Sequence, residues 1–195
     1  MLGMRRFRTG LITVVLVAVL VVGGLIAFRV LDEKRAPAAL PSGGVVDHST
    51  CLAPEVLSAA IPVPVQPPEP MSDALPPAGT IPDDFEPTSV VVCQFLEYTN
   101  DSSEAVLLET SRIGDMAQVV AQLNRESPKS PWSGECPTAS SASTPVVWLV
   151  DATGNAVRVA LPVDGMCGYP LPEAYEAVMT LEVQNKQLHF IPLAP

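Results

Sequence analysis

The residues of this chain whose types suit chemistry are four cysteines, two histidines, some acidic turns and one loop tryptophan. Cys51, Cys93, Cys136 and Cys167 form no Cys-x-x-Cys pair, and His48 and His189 stand far apart, so the spacing of a zinc site is missing. An even number of cysteines on the exported side of a membrane reads instead as two disulfides. Four cysteines allow three pairings, of which Cys51 with Cys93 and Cys136 with Cys167 is the expected one. The first would fasten a proline-rich arm to a core strand, and the second would close a Ser/Pro-rich loop onto the following hairpin. A hydrolase needs a nucleophile beside a base, yet no G-x-S-x-G occurs, and His189 opens a strand-like HFIPL. Asp83, Asp84 and Glu86 lie between Pro82 and Pro87 without the oxygen spacing of a calcium loop, and read as a solvated turn. Asp151-Ala-Thr-Gly-Asn155 has ordinary turn chemistry. No catalytic residue, metal site or cofactor is expected. Trp132, in Ser130-Pro-Trp-Ser-Gly134, is the candidate partner-binding residue; the competing role is to glue its loop to the sheet.

These residues need elements to position them. Residues 11–28, LITVVLVAVLVVGGLIAF, carry no charge and would span about 27 Å as a helix, enough to cross a bilayer. Arg5, Arg6 and Arg8 precede the run, the form of a signal anchor that leaves the N-terminus inside and exports the rest. No small-x-small cleavage site follows closely, so an uncleaved anchor is expected. Six of the eleven Lys/Arg but only two of the 21 Asp/Glu fall in the first 35 residues. Five against nineteen remain, a net of −14 that argues against nucleic-acid binding.

The 195 residues accommodate one domain plus appendages. The expected divisions are a cytoplasmic N-terminus over 1–9, a transmembrane anchor over 10–30 and a linker over 31–46. A proline-rich arm over 47–87 and an extracytoplasmic α+β domain over 88–195 follow. Twelve of the 21 prolines lie between Pro37 and Pro87, where regular structure cannot persist apart from a short helix after Pro54. Ser89 to Tyr98 reads as a central strand, apolar on both faces, and Ala105 to Ser111 can pair back onto it. Asp115, with Gln118 three residues on, can cap a helix whose stripe is Ile113, Met116, Val119, Val120 and Leu123. Residues 126–143 form a long loop. Residues 144–151 and 155–161 flank a hairpin turn at Gly154, Pro172 to Met179 suits a short helix, and Thr180 to Pro192 holds a last strand or hairpin. The expected fold is α+β: a mainly antiparallel sheet with one or two helices, the helical cover on one face.

Val92-Cys93-Gln94-Phe95, a helix, Cys136-Pro137, an apolar strand, Asp151-x-x-Gly154 and Cys167-Gly168 follow in order. This layout resembles one found in uncharacterised membrane-anchored exported proteins of actinobacteria, whose members carry Arg-Tyr or Arg-Phe where this chain has Gln94-Phe95. The resemblance covers about half the chain and implies no activity. The functional expectation is a non-enzymatic binding or structural module of the cell envelope. It would touch the lipid bilayer through residues 10–30 and a protein or envelope partner through its exported domain. The alternative is an envelope hydrolase or transferase whose catalytic residues follow no known pattern.

Overall fold

The structure, a computed structural model, describes residues 40–66, 74–128, 144–165 and 167–194. The chain divides into Met1–Ala38 and Ala39–Pro195, and everything below concerns the second unit. The expected anchor at 10–30 lies outside the described residues, among which no helix is long and apolar enough to cross a membrane. Among the described residues there are six strands: β1 (Val45–Val46), β2 (Pro87–Tyr98), β3 (Glu104–Ile113), β4 (Val146–Asp151), β5 (Ala156–Val159) and β6 (Glu182–Pro192). With them are α1 (Pro54–Ala60), α2 (Met116–Leu123) and α3 (Pro172–Met179). The strands form one sheet in the order β1-β5-β4-β2-β3-β6, every neighbouring pair antiparallel.

Alternation along β2 explains the layers, because successive side chains leave opposite faces. Val91 and Cys93 point to one face, where they join Leu107, Trp148 and Ile191 beneath Val56, Leu57 and Ala60 of α1. Val90 and Val92 point to the other, joining Val147, Leu149 and Val157 beneath Val119 and Leu123 of α2 and Ala174 and Val178 of α3. A strand covered on both faces must be apolar at nearly every position, which is the pattern of SVVVC. The α+β expectation holds for the sheet, and the three helices among the described residues are the expected ones, α2 and α3 in the domain and α1 after Pro54, but they flank both faces. The additional layer is α1, which Pro54 starts in its first turn and which buries three of its seven residues.

Local chemistry sets the element ends. The Asp115 carboxylate accepts the Gln118 amide at 3.0 Å, as the capping pattern requires. Ile113 ends β3 and is 39% exposed, so it does not belong to the α2 stripe. Gly154 supplies φ +92° in the β4–β5 turn, where its amide donates to the Asp151 carbonyl. Within the expected span Thr180 to Pro192 there is one strand, Glu182–Pro192, with a register shift opposite Ser111 and Arg112, and not a hairpin.

The linker expected to reach residue 46 ends earlier. Val45 and Val46 pair with Val157 and Ala156, and Ser42 bridges Thr80. Gly43 fits because a Cβ there would lie 2.6 Å from Val157 Cγ1. Likewise the arm is part of the fold: Gly79 donates to the Arg158 carbonyl and accepts from Ala160, and Thr80 donates to Pro41. Sheet hydrogen bonds and the burial of α1 hold these segments where composition alone suggests a spacer.

Candidate functional site

The Cys51–Cys93 disulfide is present, with a Cα–Cα separation of 5.5 Å, and it joins the segment before α1 to the middle of β2. Both cysteines are buried in the α1-side core. Cys167 is disulfide-bonded as well. Its expected partner Cys136 and the candidate binding residue Trp132 lie outside the described residues.

Three polar settings occur within the sheet and its turns. His189 on β6 reaches Glu109 on β3 at 2.9 Å across the α1-side face, a histidine–carboxylate pair to which no described hydroxyl or thiol hydrogen-bonds. In the β2–β3 turn Asp101 accepts from Thr99 Oγ1, Ser103 Oγ and the Ser103 amide, and these donors hold its carboxyl down at about 2. Asp151 is likewise lowered, first by the Thr153 hydroxyl and then by Asn155. Both are turn-building carboxylates whose oxygens are used by their own loops. Asp83 and Asp84 form the turn expected of them. Among the described residues no group of His, Cys, Asp and Glu is arranged to hold a metal ion.

Below α1, Trp148 and Arg158 stand opposite each other in the β4–β5 register. Arg158 donates through Nη2 to the Pro76 carbonyl at 2.6 Å, pinning the arm to the sheet. Burial lowers its pKa, opposed by the Glu55 carboxylate. Arg158 Nε, Trp148 Nε1 and Glu55 Oε2 are buried without hydrogen-bond partners among the described residues. Arg112 does comparable work on the other face: it donates to Thr110 Oγ1, Met179 O and Leu181 O, tying the end of α3 to β3.

The β6 edge presents backbone groups to solvent. At the opposite edge, β5 is covered by β1 and by the Gly79–Thr80 segment. Among the described residues only the C-terminal end of β6 is covered, where Gln66 donates to Pro192 O and Ala194 donates to Pro64 O. Since backbone direction alternates along a strand, Leu188 and Phe190 present their N–H and C=O groups outward like Pro192. Their side chains share a face with Leu108 and Val106, directly opposite on β3, beyond the area that α2 and α3 cover. Leu188 is 52% and Phe190 55% exposed, and Leu96, at the β2 bulge nearby, is 45% exposed. An open edge beside an apolar patch is the combination by which strands recruit another chain. Sequence reading placed HFIPL in a strand but assigned it no role; the signal was two large apolar residues, at 188 and 190, at a spacing of two.

Comparison with protein families, with curated proteins and with solved structures finds no match to this chain.

Proposed function

We propose that this chain is a non-enzymatic, membrane-anchored module of the cell envelope that binds a protein partner through the β6 edge and the adjoining Leu188–Phe190 patch. The observation that carries this reading is the outward-facing backbone of β6 beside two large side chains more than half exposed. Support for the location comes from the uncharged run at 11–28 with its basic N-terminal flank, which has the length and polarity of a signal anchor. The Cys51–Cys93 disulfide adds to it, since such bonds persist in oxidising compartments outside the cytoplasm. The membrane-anchored exported proteins of actinobacteria remain the group it resembles.

The test is site-specific photo-crosslinking in intact cells. A photoreactive residue at Phe190 should give discrete adducts that the same residue at Ala121, exposed on α2, does not give. Equal or absent labelling at the two positions would remove the β6 edge as the binding surface.

A further inference from the structure

We infer that the β6 edge pairs with β6 of a second copy of this chain, antiparallel about a two-fold axis at Leu188. The inference rests on the proposed function and names the partner for that same surface. Three observations lead to it. First, among the described residues nothing pairs with the outer edge of β6 from Lys186 to Phe190, and the arm's sequence is poorly suited to continue its pairing there. The antiparallel bridge of Val65 to Leu193, continued along the strand, would bring residues 68 and 70 opposite Phe190 and Leu188, and both are prolines without an N–H to donate. Second, the edge is self-complementary. With the axis at Leu188, that residue meets its own copy in a pair whose N–H and C=O groups exchange hydrogen bonds, and Phe190 lies opposite Lys186 of the second copy.

Third, the charges agree. The chain is acidic overall, yet along Lys186 to Phe190 the one charge on the exposed patch is Lys186, which makes no ion pair among the described residues. The two-fold sets that ammonium against an aromatic ring and sets no like charges against each other. A ladder of this length covers less than the roughly 800 Å² per partner of a standard interface, so pairing is weak and concentration-dependent. Confinement of two anchored copies to one membrane raises their effective concentration and favours it.

The experiment uses the full chain in membranes. With the native cysteines oxidised, Leu188→Cys should be joined to itself by a short bismaleimide crosslinker. Lys186→Cys should not, because two copies of residue 186 would lie about 14 Å apart along the ladder. In a fluorescence-transfer titration, Leu188→Lys should weaken self-association at least tenfold while the thermal midpoint stays that of the parent, the side chain being exposed. Absence of the Leu188→Cys crosslink, or equal crosslinking at 186 and 188, overturns the inference. If Leu188→Cys stays monomeric while a photoreactive residue at Phe190 captures a different protein, the binding reading stands and the second copy falls. If neither occurs, both fall.

Discussion

Replacing both Cys51 and Cys93 by alanine tests whether the covalent tie, or packing alone, holds the arm and α1 on the sheet. The two residues are 42 apart in sequence. In the chain-entropy treatment a loop of that length restricts the unfolded chain by about 13 cal/mol/K, or about 4 kcal/mol at 25 °C. Both sulfurs lie in a closed core, so their removal adds a small cavity term to this. For a folded unit of this size, 4 kcal/mol lowers the thermal midpoint by roughly 8 to 16 °C. Urea unfolding of the full chain in detergent, parent against double variant, gives the free energy. The slope should rise slightly, because the untied unfolded chain is more expanded. Mutation is preferable to a reductant, since Cys167 is also disulfide-bonded and would be reduced as well. A loss below about 1 kcal/mol would refute the reasoning, and α1 packing would then be the principal restraint on the arm.

Other outcomes follow from the same structure. Arg112→Met should destabilise by about 2 to 4 kcal/mol, because a charged donor to Thr110 and two α3-end carbonyls is lost; chemical denaturation measures it. Asp101 should titrate near 2, against about 4 for a free carboxylate. A lowered folded value means that its stabilisation is present above the unfolded pKa and disappears as pH falls from about 4 through 2. The Ser103 amide shift followed by NMR should therefore move with that low midpoint, and Asp101→Asn should abolish the movement. A reporter active only outside the cytoplasm, fused after Pro195, should be active; activity of a cytoplasm-only reporter at that position would reverse the proposed topology.

Elements whose determinants are local could be read from sequence. The Asp115 cap, the Pro54 and Pro172 helix starts and the Gly154 turn each depend on a few adjacent residues, and each is where the sequence placed it. β2 could be read because burial on both faces leaves a run without polar alternation. What escaped depends on partners distant in the chain. Val45–Val46 is a strand because β5, more than 100 residues later, offers it an edge. Gln184-Asn185-Lys186 has turn-like composition, yet β3 supplies the ladder that keeps it extended. The patch at Leu188 and Phe190 was equally illegible: a period of two shows that both share a face, but only the positions of α2 and α3 decide whether that face is covered.

The two sheet edges carry the most informative asymmetry in the molecule. An exposed strand is a hazard that folded proteins blunt with short strands, prolines, charges or covering loops. The β5 side uses two of these: β1 is two residues long, and Gly79–Thr80 of the arm fills the edge beyond it. The described part of the same arm reaches β6 through Pro64–Gln66, at the strand's C-terminal end. The sequence that follows has prolines at 68 and 70, which have no amide proton to donate to a ladder. From Lys186 to Phe190 the one charged residue on the exposed patch is Lys186. Among the described residues one edge is closed and the other lies open beside large apolar side chains, and the proposed pairing with a second copy rests on that asymmetry.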